Sequence, residues 1–169
     1  MTNSENDQRE NHNGRCGRRS MARFYAVQMI YSAELTGATI EPNTNVQGEF
    51  NDCEEIFITE DLSTTEMDLE FYQKLINVAN RNLPEIDAAI IAHLTDGWKM
   101  NRLDSVMRAI LRLGTAELLY LKEVPSNVVF NEYLELSKSF FEKKDTSFIN
   151  GLLNSVLIAS SIHLSGNKV

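Results

Sequence analysis

Strand and cross-link signals are what this 169-residue sequence has least of: it holds two cysteines, three prolines, eight glycines and one tryptophan. Cys16 and Cys53 have no metal-ligand spacing and no companion histidine cluster, which argues against a disulfide framework and a zinc site and for reduced thiols. No two-residue hairpin turn separates alternating apolar stretches, so a sheet protein is disfavoured. No apolar run approaches the ~18 residues that a membrane span needs, and the polar first twenty residues lack the apolar core of a signal peptide. The expectation is a cytoplasmic protein with no membrane association.

Basic residues are also missing where acidic ones gather. Between Ser32 and Tyr72 there are eleven Asp and Glu and no Lys or Arg, within a chain of net charge −8. The stretch Arg15 to Tyr31, RCGRRSMARFYAVQMIY, is the reverse, with Arg15, Arg18, Arg19 and Arg23 and no acid. A field divided this way can bind a polyanion at one end and repel it at the other. A solvated helix face is the competing explanation of the arginines.

What the chain has in quantity is helical periodicity. Ala22, Ala26, Met29, Ile30 and Ala33 form a stripe on a helix from about Arg19 to Thr36, with Gly37 as its stop. Met1 to Gly14 has nothing apolar after its first residue and reads as a disordered tail. The acidic segment 38–62 is irregular, with a short helix at Cys53 to Ile58 as one option. Ser63 and Glu66 have capping-box spacing ahead of the stripe Phe71, Tyr72, Leu75, Ile76 and Ala79. Pro84 opens a shorter helix that Thr95 to Gly97 closes.

Trp98 then starts a connecting stretch, and a core wedge is the expected role for it over a ligand platform. A strongly apolar helix follows over Asp104 to Lys122, central to a bundle and carrying Arg108 and Arg112 on one face. Val124-Pro125 breaks it. The next helix carries Val129, Tyr133, Leu136, Phe140 and Phe141, and the last begins near Asp145 or Thr146. Gly151 inside that last helix, beside Asn150, suggests close approach by another backbone or by a partner.

No catalytic constellation accompanies these helices. The three histidines, His12, His93 and His163, have neither a neighbouring nucleophile nor metal-ligand spacing, and His93 reads as a half-buried helix residue. No glycine pattern cradles a phosphate after a strand, and the Asp52, Glu54, Glu55 cluster lacks the ligand order of a calcium loop. The chain is therefore read as a non-enzyme without cofactor or metal, and a binding module is what remains.

Arg19-Ser20-Met21-Ala22-Arg23, then Ala26-Val27-Gln28 and Tyr31, is similar to the R-R-x-A-R…A-x-Q…L-Y opening of the NusB family of transcription antitermination factors. Ala109-Ile110-Leu111-Arg112, Glu117-Leu118, Val124-Pro125, Asn131-Glu132 and Lys138-Ser139-Phe140 keep its order. Phe148-Ile149-Asn150-Gly151-Leu152-Leu153 resembles its F-[VI]-N-G-V-L signature, so the likeness covers about residues 18–157.

The resemblance implies an all-α fold, a bundle of about seven helices in two small subdomains, residues 18–97 and 98–161, between a polar tail (1–17) and a C-terminal tail (162–169). It implies an antitermination factor that binds single-stranded boxA RNA of rRNA leaders with ribosomal protein NusE. Other Nus factors and RNA polymerase are then engaged indirectly, and a homodimer is an open option. Carried over by position, the RNA-binding residues are Arg18, Arg19, Arg23, Phe148 and Asn150, and the NusE side has Tyr31 and Met107.

Arginine pairs with phosphate bidentately, and an exposed phenylalanine offers a stacking face to an unpaired base. Phe148 as a core residue and Asn150 as a cap are the structural alternatives. Ser20, Met107 and Ser147 each stand where the family commonly carries a charge, so RNA affinity alone is expected to be low and to depend on NusE. A helical protein-interaction adaptor is the competing function. A NusB-like domain of an RNA methyltransferase is the enzyme reading, disfavoured because no length remains for a cofactor-binding domain.

Overall fold

The computed structural model describes residues 17–38, 67–95 and 97–166, with side chains through residue 161. Most of the polar tail, the 53–58 option and the Ser63–Glu66 capping box lie outside the described residues. Those described form six α-helices and one 3₁₀ turn, with no strand among them: α1 (Arg18–Thr36), α2 (Leu69–Arg81), α3 (Leu83–Ile91), the turn Met100–Arg102, α4 (Ser105–Tyr120), α5 (Ser126–Lys138) and α6 (Lys143–Gly166). The all-α expectation of about seven helices holds in class, with six helices among the described residues.

Local chemistry sets the helix ends. α1 stops at Gly37, whose φ of 68° is the left-handed conformation that a residue without Cβ takes at little cost. α2 starts at Leu69, later than the Ser63 start expected from sequence, because extended Asp68 caps it by accepting from the Phe71 amide at 3.0 Å. Asp104 caps α4 by accepting from the amides of Val106 (2.8 Å) and Met107 (3.3 Å). α6 begins at Lys143, ahead of the expected Asp145 or Thr146. The Thr146 amide already donates to the Glu142 carbonyl at 3.0 Å, which places both residues inside the first turn. Its backbone continues to Gly166, beyond the expected boundary at residue 161.

α4 is the centre, packed against each of the other five helices. Its Ala109, Ile110, Leu111, Leu113 and Ala116 are fully buried, joined in one apolar cluster to residues of both halves of the chain. Gly114 marks the tightest crossing: a Cβ there would lie 3.0 Å from the Leu153 side chain on α6 and 3.4 Å from Tyr133 on α5. The pairs Arg23–Glu117 and Glu34–Arg108 show that α1 and α4 run antiparallel. α6 runs parallel to α4, with Gly114 against Leu153 and Leu119 sharing a surface cavity with Val156.

Trp98 corrects the sequence reading. It is 52% exposed and no wedge, because the 3₁₀ turn after it brings Leu103, only 4% exposed, into the inward position. His93 is half-buried in the turn after α3, its Nδ1 2.8 Å from the Ala89 carbonyl oxygen, as its helix-face reading anticipated.

Candidate nucleic-acid interface

The N-terminal turns of α1 divide the arginines by helical angle. Arg18 is exposed and makes no side-chain hydrogen bond or ion pair among the described residues. Arg19, with 43% of its side chain exposed, lies 3.4 Å from Asp68 and 3.5 Å from Glu123, with its guanidinium 4.8 Å from the Phe71 ring centroid. Exposed pairs of this kind contribute about 0–1 kcal/mol, so Arg19 can exchange its carboxylates for a phosphate. The Asp68 amide donates to the Arg18 carbonyl at 3.1 Å, which ties this tip to the start of α2.

Arg23 faces inward, contrary to its assignment as a surface contact. It is 2% exposed and bidentate to Glu117, with Nε 2.9 Å from Oε2 and Nη2 2.6 Å from Oε1, while Nη1 reaches Glu132 at 3.2 Å. The Tyr133 hydroxyl donates to Glu117 at 3.0 Å, and Ser20 donates to Glu132 at 2.5 Å. Burial works against the charge of Arg23, but the hydrogen bond and charge of Glu117 outweigh it and raise its pKa. Burial, with the charge of Glu117 added, pushes the Tyr133 hydroxyl well above its ordinary value.

This network anchors α1 to α4 and α5, and in this arrangement the Arg23 guanidinium has no face left for a phosphate. Ser20 gains a role by the same geometry, its hydroxyl holding Glu132.

Phe148 and Asn150 part company as well. Two residues are about 200° on a helix, so the two side chains leave α6 on opposite sides. Phe148 is half-buried, with its ring 5.5 Å from that of Trp98 and tilted by 31°. Asn150 is exposed and lines a surface cavity of about 370 Å³ with Lys138, Lys143 and Ser147. Gly151 is exposed, and nothing among the described residues lies within 4 Å of a Cβ position there, so no other described segment packs against it.

Tyr31 and Met107 sit toward the opposite end of the α1–α4 pair from the arginine tip. Tyr31 is half-buried against the core, and Met107, at 7% exposure, is a core residue that presents almost none of its side chain. Beside them, Arg108 and Arg112 both pair with Glu34, and Arg112 also grips Asp87 at 2.8 and 2.9 Å, joining α1, α3 and α4. The Asp87 hydrogen bonds raise the Arg112 pKa. The two arginines that the sequence placed on one face are thus fasteners.

Sequence reasoning missed the Glu117–Tyr133 partners of Arg23 and the Trp98–Phe148 pair. Glu117 did carry a signal, as an acid among Ala116, Leu118 and other buried positions of α4, where an unpaired charge is costly. No helix among the described residues is long and apolar enough to cross a membrane, and those residues contain no metal-holding cluster.

Residues 20–157 match the NusB family model. Transcription antitermination protein NusB of Caulobacter vibrioides is 38% identical over 138 residues, covering 82% of this chain and 91% of that one. That of Sphingopyxis alaskensis is 38% identical over 144 residues, covering 85% and 95%. Among solved structures, antitermination factors NusB and NusE in complex with double-stranded RNA include a chain with 31% identity and a TM-score of 0.64, covering 84% of this chain and 97% of that one. The solution structure of NusB from Aquifex aeolicus matches with 31% identity and a TM-score of 0.62, covering 90% and 93%. The chain belongs to the NusB family of antitermination proteins.

Proposed function

We propose that this protein is an RNA-binding antitermination factor that binds boxA-type RNA of rRNA leaders together with NusE and keeps RNA polymerase processive. The observation that carries this reading is the likeness, over 84% of the chain, to a NusB solved with NusE and RNA. Local geometry supports it: Arg18 and Arg19 stand on the first turn of α1, with Arg19 held among the described residues by half-buried Asp68, exposed Glu123 and the Phe71 ring. Arg23 acts as a positioning residue, fixing the helix that presents them. Asn150, with Lys138 and Lys143 around its cavity, extends the cationic surface. NusE docks toward the opposite end of α1, where Tyr31 is half-exposed and Met107 supports the surface from within.

A protein-interaction adaptor without specific RNA binding is the second reading. It is favoured by one observation, the carboxylates Asp68 and Glu123 that already accompany Arg19. Titrating labelled boxA RNA with the protein, alone and with NusE, separates the two. Antitermination predicts RNA binding that NusE strengthens, and the adaptor predicts NusE binding with no RNA retained.

A further inference from the structure

Among the described residues, Trp98 is the most exposed aromatic ring. Its amide closes a turn by donating to the Thr95 carbonyl at 3.0 Å, and Gly97, at φ 90°, makes the reversal. The residues that follow are fastened to α4, because Arg108 donates to the carbonyls of Met100 (3.1 Å) and Leu103 (2.5 Å) and pairs with Glu34. Phe148 supports the indole from one side while packing against the core. A 52%-exposed tryptophan is therefore held in place before anything binds it, which lowers the entropy lost on stacking.

Exposed cations outnumber acids on the flanking segments, where Asp104 is exposed at the end of the connection as the cap of α4. Lys99 and Arg102 are exposed on the same connection, and Lys144 is exposed one turn before Phe148 on the same helical face. None of the three makes an ion pair among the described residues. Asp145, also one turn before Phe148, is the acid on that face. Gly151, one turn after it, leaves the adjoining strip without side-chain bulk.

We propose that Trp98, backed by Phe148, is a stacking platform for an unpaired RNA base, with Lys99, Arg102 and Lys144 meeting its phosphates. An exposed aromatic face beside cations that make no ion pair among the described residues matches the two chemistries of a single strand, base stacking and phosphate pairing. The inference rests on the RNA-binding reading and adds to it a site that lies away from the arginine tip.

Trp98 is the only tryptophan, so its fluorescence, measured against a Trp98→Phe background in the protein–NusE complex, reports the platform directly. Single-stranded boxA RNA should quench it. Trp98→Ala should weaken RNA binding on the order of 5- to 100-fold, with Trp98→Phe recovering most of the loss and thermal stability nearly unchanged. Wild-type RNA affinity in Trp98→Ala, or fluorescence that responds to NusE and not to RNA, overturns the platform while leaving RNA binding intact. Absence of any RNA binding by the wild-type complex removes the functional reading, and the platform with it.

Discussion

Replacing Glu117 tests the network that holds α1 in place. Glu117 is 0% and Arg23 2% exposed, so Glu117→Ala leaves a guanidinium buried with one remaining carboxylate, Glu132 at 3.2 Å, and removes the acceptor of the Tyr133 hydroxyl. Breaking a buried pair from one side costs about 3–5 kcal/mol. The surviving Glu132 interaction offsets part of the loss, while the deleted side-chain volume adds to it, so about 4 kcal/mol is expected. With a urea m-value of about 2 kcal/mol/M, the midpoint falls by about 2 M with m unchanged.

Removing both charges by Arg23→Met with Glu117→Leu should recover most of that stability, since an apolar pair of similar volume avoids the desolvation of two ions. Arg23 titrates above its ordinary value, so its contribution is present throughout the neutral range and is lost only at the alkaline extreme. A loss below about 1 kcal/mol in Glu117→Ala, the size of an exposed pair, would refute the buried-network argument.

Tyr72 is buried with no hydrogen-bond partner for its hydroxyl among the described residues, and burial pushes its pKa up to about 12. A raised folded pKa means this stability is intact below about pH 10 and is lost as pH rises toward 12; Tyr72→Phe should flatten that alkaline limb and be neutral or stabilising by about 1 kcal/mol at pH 7 in urea melts. Asp68 titrates below its ordinary value, chiefly through the Phe71 amide, so its contribution holds above about pH 4 and fades as pH falls further; Asp68→Ala should remove about 1 kcal/mol at neutral pH and weaken the acid limb. Gly151→Ala, at an open helical position, should raise stability by about 0.5–1 kcal/mol while lowering RNA affinity in a binding titration.

Much of the fold was legible in the sequence because the apolar periodicity and the punctuation are strong. The Ala22–Ala33 stripe, Gly37, Pro84 and the apolar run of α4 lie where that pattern puts them. Helix starts were less legible, because several polar residues could cap and tertiary packing chooses among them: Asp68 is tied to Arg18 as well as capping α2. The site was legible as residue types and not as sides of helices. Arg23 reads like its neighbours Arg18 and Arg19, yet its partners lie 94 and 109 residues away, and only the packing of α1 on α4 and α5 brings them to it. Trp98 reads as a wedge because size suggests burial, and its exposure follows from the 3₁₀ turn that sends Leu103 inward.

The most direct measurement is the salt dependence of boxA RNA binding by the NusE complex, comparing wild type with Arg18→Gln/Arg19→Gln. Each arginine–phosphate pairing removed from a single strand reduces the slope of log K against log salt by about 0.7. Weaker binding and a slope shallower by about 1.4 are expected. Unchanged affinity and slope in the double variant would contradict the assignment of Arg18 and Arg19 to RNA binding.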